Sequence, residues 1–435
     1  DFLRDERVAK QITSTSGIKS SVQWPPDSKE VWYIENGRIS SVNVDSRATK
    51  SLTVSGEMDV DFATEKMAAF DQGWRYLRDN FFDAKMNGVN WDAARERFGE
   101  QAAGAGTSDE LRRTMQLMIG ELNASHSGAN TGPTQQPYTG RLGLYFDRGV
   151  YEKTGALEIT SITPLSAASL ATKIKPGDRL VAVDSHTIGA NTNLDELMSY
   201  RINKQTVLTL RGPSGTYEAS ILPANAGTDK RLIYRAWVEE RRAYVSKISG
   251  GRLGYVHMLD MGAGSLTQLA ADLDAENSAK AGVVVDVRNN NGGFVNAYAL
   301  DILSRRPYLT MQARGAPATS ARTQLGQRSL ELPTVLVTNQ MSLSDAEDFT
   351  EGYRAMKLGK VVGEPTAGWI IYTSDVGLID GTTVRIPFIR ITGADGKDME
   401  MHPRPVDVSV IRPVGESYSG KDSQLDAAVD VRLRD

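Results

Sequence analysis

Four short runs rich in apolar and β-branched residues, SSVQW, EVWYIE, RISSVNV and KSLTV, lie between residues 18 and 55, separated by PPDSKE, NGR and DSRAT; this spacing of turn signals predicts four strands joined as hairpins. From residue 62 the period becomes helical. Met67, Phe70, Trp74, Leu77 and Phe81 recur at three- and four-residue steps and so share one face that a helix would bury. Two further helices follow: Asn90 is placed to cap WDAARERFGEQAA, and Thr107 with Glu110 forms a capping box ahead of Leu111, Met115, Met118 and Leu122. Residues 129 to 139, ANTGPTQQPYT, have the Gly, Pro and polar content of a linker or exposed loop. Short strands (LGLYF, ALEITSI, RLVAVD, TVLTLR) then alternate with one short helix near LDELMSY as far as residue 225. After a polar link, PANAGTDK, the apolar runs GRLGYVHM, GVVVDV and TVLVT are each followed by a helical pattern (SLTQLAADLDA, VNAYALDILS, DAEDFTEGYRAM), which predicts a largely parallel sheet with helices on its faces.

The expected fold class is therefore multidomain, mixing α+β and α/β parts: a β segment over 1–61, a helical domain over 62–139, a β domain over 140–225 and an α/β domain over 226–435. The first segment resembles one blade of a β-propeller. Because a ring needs about four to eight blades, that resemblance implies a protein continuing upstream of Asp1; an N-terminal hairpin packed on the next domain is the alternative. Residues 140–225, with the turn KPGDRLVAVD, resemble a PDZ domain, in which Leu142, Gly143, Leu144 and Tyr145 would match the loop that receives a peptide C-terminus on backbone N–H groups. A module that only positions its neighbours remains the other reading.

Composition narrows the classes. The 435 residues exceed a single small module, and 50 Lys+Arg against 54 Asp+Glu leave a formal charge of −4, so no basic surface is advertised and nucleic acid is not an expected partner. No apolar run approaches the ~18 residues of a spanning helix, so no membrane partner is expected either. With 0 cysteines there is no thiolate catalysis or disulfide, and the count is silent on compartment. Residue 1 is Asp, and no basic-then-apolar leader opens the chain, so a fragment or processed chain is expected.

The histidines are His126, His186, His257 and His402, none in HExxH or a close His/Asp/Glu cluster, so neither a catalytic metal nor another cofactor is expected. Acid–base and nucleophilic chemistry remain. His126 in NASHSGAN could project from a loop, although a lone histidine is more often structural. Ser344 falls between the strand VLVT and a helix, where first-turn N–H groups could stabilise an oxyanion; with Glu347 three residues on, it could equally be an ordinary N-cap in a capping box. Gly292 and Gly293 follow a buried strand and would let backbone N–H groups approach a substrate, or simply make a tight turn. They fit neither the dinucleotide fingerprint nor a P-loop, and no G-x-S-x-G elbow surrounds Ser344, which disfavours an α/β hydrolase.

Taken in order, VDVRNNNGG, TNQMSLSDAED and GKVVGEPTAG resemble the C-terminal processing (tail-specific) peptidase clan, and the preceding blade-like, helical and PDZ-like segments resemble its tricorn branch over nearly the whole chain. Where processing peptidases carry a lysine, the matching T-A-G-W holds Trp369, so a Ser/Lys dyad is absent. The tricorn branch uses a Ser-His-Glu-Ser tetrad, and the resemblance assigns the nucleophile to Ser344, the base to His126, the supporting hydroxyl to Ser125 and the acid to Glu400 in MEMHPRPVD. It assigns the oxyanion hole to the N–H of Gly292 or Gly293 with that of Asp345.

The implied activity is serine endopeptidase or oligopeptidase hydrolysis of peptides or unfolded chains, without cofactor, in a homo-oligomer as large as a hexamer; the compartment stays open, with the resemblance favouring the cytoplasm. A peptide-binding scaffold that kept the fold and lost turnover is the competing class. Two departures bear on this. Tricorn protease reads a basic residue with an acid ahead of its nucleophile, yet residues 302–343 hold only Glu331, in a different setting, which leaves apolar or mixed side chains open. RPVD at 404–407 shifts one proline relative to the V-A-P-D of relatives.

Overall fold

The computed structural model describes residues 11–15, 17–26, 28–131, 138–276, 280–327 and 329–434. Positions 1–10 of the β segment and 132–137 of the expected linker lie outside the described residues. The chain divides after Phe62 into two compact units. In the first, Lys19–Gln23, Glu30–Glu35, Arg38–Asn43 and Thr49–Leu52 form an antiparallel sheet in chain order around Val31, Tyr33 and Val42. Its central hairpin turns at Asn36 and Gly37, both at positive φ (51° and 75°), the turn chemistry that matches strand twist.

The second unit opens with three helices, Phe62–Asn80, Trp91–Gly104 and Ser108–Gly120. Asn90 accepts Ala93 N–H (3.1 Å) and Thr107 accepts Glu110 N–H (3.2 Å), while Glu110 reaches back to Gly106 N–H (2.7 Å). The stripe Phe70, Trp74, Leu77 and Phe81 is buried, and part of what covers it comes from far along the chain: Leu378, Val384 and Ile386 share its core. The hairpin Tyr372–Gly377/Thr383–Ile389 takes Gly128–Asn130 as a third, antiparallel strand, with Gly128 opposite Arg385. That pairing fixes the segment just after the third helix, which contains Ser125 and His126.

Residues 141 to 221 build a six-stranded sheet whose edge is Leu144–Phe146. The expected polar link PANAGTDK is instead the start of a 23-residue helix, Ala226–Ile248. Asn225 caps it by accepting Thr228 N–H (2.8 Å), and small or charged residues in a solvent-facing first turn read as a linker until the cap is recognised.

Five parallel strands follow, ordered Leu253–His257, Gly282–Asp286, Thr334–Thr338, Gly359–Gly363 and Val408–Ser409. Alternate side chains serve two cores. Val283, Val285, Leu336 and Val361 pack against helices Ala263–Glu276, Asn296–Ser304 and Asp345–Ala355; Val284, Val335, Val337 and Val362 pack against Ala226–Ile248 and Ser423–Arg434. At the carboxyl end of this sheet Arg288, 2% exposed, binds the carboxylates of Asp286 (2.7 Å) and Asp422 (2.9 Å), and Tyr255 donates to Asp286 (2.9 Å). The architecture is a mixed α/β multidomain fold.

Candidate active site

Ser344 stands between the strand Thr334–Thr338 and the helix Asp345–Ala355, with φ 58° and ψ −130° and no capping bond from its side chain. The capping-box reading therefore fails. At this φ the hydroxyl is swung away from the helix N–H groups, a strained backbone of the kind found where a nucleophile is presented. Glu347 turns away from the helix start, and its buried carboxylate accepts Thr366 Oγ1–H (2.6 Å), Gly368 N–H (2.8 Å) and Trp369 N–H (2.7 Å). Burial pushes its pKa up while these donors oppose the shift. The loop so held returns Trp369 C=O to Ser344 N–H (2.9 Å), so Trp369, at the dyad-lysine position, contributes backbone.

Ser125 and His126 enter from the helical end. Ser125 donates its N–H to Glu400 Oε1 (2.7 Å) and its hydroxyl to Glu400 Oε2 (3.1 Å), and the same hydroxyl lies 2.8 Å from His126 Nδ1. Ile370 N–H completes the carboxylate's set at 2.9 Å. A serine hydroxyl has one proton, and here it points at Glu400; Nδ1 must then be the donor to Ser125, which leaves Nε2 as the basic nitrogen. Burial first, and the Arg385 cation second, lower the His126 pKa to about 4. The imidazole is thus neutral and able to accept a proton at neutral pH, from a lower pKa than the ordinary 6.5 of a histidine.

The structure joins Ser125, His126 and Glu400 directly. Among the described residues no hydrogen bond links His126 Nε2 to Ser344 Oγ. The two halves are tied by adjacent residues, Trp369 on Ser344 and Ile370 on Glu400. Catalytic hydrogen bonds are often long before substrate binds.

Gly292 packs against the nucleophile so closely that a Cβ there would lie 2.4 Å from Ser344 Cβ and 2.9 Å from Asp345 N, and its φ of +84° suits glycine. Its N–H donates to Asn290 Oδ1 (2.9 Å), whereas the alternative donor, Gly293, carries no such bond. A short Asn-x-Gly turn consumes that proton. Gly293 N–H and Asp345 N–H have no hydrogen-bond partner among the described residues. The Asp345 carboxylate is engaged elsewhere, accepting Val295 N–H (2.7 Å), Asn296 N–H (3.0 Å) and the Asn296 amide, and so braces the glycine loop against the nucleophile helix.

Leu142, Gly143, Leu144 and Tyr145 lead into the edge strand of the six-stranded sheet, Leu144–Phe146. They line a cavity of about 300 Å³ closed by Thr163 and Ile233. At Gly143 (φ +75°) a Cβ would lie 2.2 Å from Ser166 Cβ and 2.3 Å from its Oγ, so only glycine fits there.

The model for peptidase family S41 matches residues 252–410, and that for the tricorn protease C1 domain matches residues 62–120. Tricorn protease homolog 1 of Streptomyces coelicolor is 32% identical over 99% of this chain and 42% of its own length. The tricorn protease of Thermoplasma volcanium is 26% identical over 91% of the chain and 38% of its own length. The chain thus spans about two fifths of the relatives it matches. In fold it is similar to the crystal structure of the tricorn protease, with a TM-score of 0.83 at 23% identity over 96% of this chain and 41% of that one. The chain thus carries a peptidase family S41 domain over residues 252–410 and a tricorn protease C1 domain over residues 62–120, and along nearly its whole length it is similar to tricorn proteases.

Proposed function

We propose that this chain hydrolyses peptide bonds in peptides or unfolded polypeptides through a tetrad of Ser344, His126, Ser125 and Glu400. The observation that carries the reading is the Glu400–Ser125–His126 relay, which leaves Nε2 as the neutral, basic nitrogen, together with a Ser344 hydroxyl freed from capping. His126 takes the Ser344 proton as the oxygen attacks the peptide carbonyl and returns it to the leaving amine; water then repeats the exchange on the acyl-enzyme. Gly293 N–H and Asp345 N–H receive the oxyanion. Ser125 and Glu400 orient the ring and stabilise its cationic form.

The reading extends to the rest of the molecule. Residues 1–61 act as a blade-like segment, 62–139 as the domain supplying the base, 226–435 as the domain supplying the nucleophile, and 140–225 as a PDZ-like module. In that module the edge strand beside Leu142, Gly143, Leu144 and Tyr145 takes a substrate tail by strand addition. The assembly is a homo-oligomer, and a monomeric mass by light scattering at micromolar concentration would remove that element.

The test is a panel of reporter peptides with a serine-directed organophosphonate. Cleavage by the parent and none by Ser344→Ala, with label on Ser344 alone, is the expected result; equal inertness of both proteins, or label elsewhere, favours a silent peptide-binding scaffold.

The pH profile carries its own expectation. Since kcat/KM follows the base of the free enzyme, activity should persist as pH falls below 6.5 and be lost only toward the depressed His126 value of about 4. Arg385→Gln removes a cation that disfavours imidazolium, so the acid limb should move to higher pH. A limb that does not move, measured on one peptide across roughly pH 4 to 8, contradicts the assignment of His126 as base.

A further inference from the structure

The cavity beside Leu142–Tyr145 is walled by three separate elements. The strand Leu144–Phe146 forms one side, and its outer edge pairs with no other strand among the described residues. The short helix Leu194–Leu197, with Met198 after it, forms a second, and the start of the helix Ala226–Ile248 brings Asp229 and Ile233 to the same space. Arg141, Asp195 and Asp229 are the charged residues of the lining. Arg141 lies 3.5 Å from the Asp195 carboxylate, so those two charges answer each other. Asp229 is left over. It is half-buried, and among the described residues its carboxylate has no ion-pair partner and accepts no hydrogen bond. Thr163, 4% exposed at the same wall, has a hydroxyl with no hydrogen-bond partner among the described residues.

A free carboxylate is poorly matched to this space. A peptide C-terminus held on the N–H groups of Leu142, Gly143 and Leu144 would bring a second anion into a cavity that already contains Asp229, and like charges so placed repel strongly where water is partly excluded. The walls suit a side chain of the opposite build, an apolar stem ending in a cation. Lysine and arginine bury their methylene stems against apolar surface while the charged head keeps polar company.

We infer that the cavity takes the lysine or arginine side chain of an internal, extended segment laid along Leu144–Phe146, its stem against Leu144, Met198 and Ile233 and its cation on Asp229. This rests on the strand-addition reading above and names what the added strand carries. Main-chain bonds to an edge strand supply affinity, and a pocket for alternate side chains supplies selectivity. In the first turn of its helix Asp229 also complements the helix dipole, a role that needs no ligand. The two roles differ in what Asp229→Asn changes.

Binding is measured by isothermal titration calorimetry on the full chain carrying Ser344→Ala, so that no probe is cleaved. The probes are acetylated, amidated octapeptides of alternating Ser and Val with a central Lys, norleucine or Glu, and a fourth with norleucine and a free C-terminal carboxylate. With both ends blocked, the central side chain alone carries charge. The Lys peptide should bind on the order of tenfold more tightly than the norleucine peptide, and the Glu peptide more weakly than either. Asp229→Asn should abolish that order, Asp229→Glu should keep it, and about 1 M salt should shrink it. A Lys preference that survives Asp229→Asn, as binding in the active-site cleft would give, overturns the inference. So do equal affinities of the three blocked peptides, and an Asp229→Asn protein that melts at a lower temperature with the order unchanged, which leaves the dipole role alone. Tightest binding by the free-carboxylate probe overturns it in favour of C-terminal capture. If no probe binds, the strand-addition reading falls and this inference with it.

Discussion

Ser344→Ala and His126→Ala should each lower kcat on a cleavable peptide by on the order of 10⁴-fold or more, and the double variant should be little worse than either. The expectation follows from the division of labour in the site. Without the hydroxyl there is no acyl-enzyme; without Nε2 the hydroxyl has no acceptor for its proton, and a serine alcohol at its ordinary pKa is a poor nucleophile. Residual turnover would come from the Gly293 and Asp345 N–H groups, which polarise a carbonyl whether or not a nucleophile is present. Both substitutions remove atoms from residues at positive φ (58° in each case), and neither deletes a backbone hydrogen bond. Unchanged thermal midpoints should therefore accompany the loss. Additive effects in the double variant would show that the two residues do not act as one unit.

The second large effect is on stability. Arg288 joins two carboxylates that are themselves 0% exposed, so Arg288→Ala leaves Asp286 with no ion-pair partner among the described residues and Asp422 with Arg241 alone, at 3.6 Å. Removing one member of such a buried set costs about 3–5 kcal/mol, because the remaining charges keep their desolvation penalty and lose their attraction. Chemical denaturation should register that loss. Replacing all three groups by apolar residues of similar volume, Arg288→Met with Asp286→Leu and Asp422→Leu, should recover much of it, since a well-packed apolar cluster can match a buried ion network. If the triple variant is no better than Arg288→Ala, the penalty lies in packing rather than in stranded charge. The effect should reach the site, because Arg288 begins the loop that carries Gly292 and Gly293.

Local signals read well. The period of Phe70, Trp74, Leu77 and Phe81, the caps Asn90 and Thr107, and the apolar runs of the parallel sheet correspond to elements that form from neighbouring residues. Ser344 and Glu347 show where such reading stops. The letters S-x-x-E satisfy a capping box, but φ at Ser344 is set by the loops packed around it, and the Glu347 carboxylate is claimed by N–H groups at residues 368 and 369, well beyond the helix. The pairing of Gly128–Asn130 with Thr383–Ile389 leaves no trace in either segment, because register between distant strands depends on the whole fold. Resemblance to a family named Glu400; no local pattern could have.

Glu400 meets Ser125 across 275 residues of chain, and this separation orders events in time. A polypeptide leaving the ribosome exposes its imidazole first, its hydroxyl nucleophile long afterwards, and the carboxylate that orients the ring last of all. On the proposed tetrad, the site would therefore be complete only once residue 400 has been made.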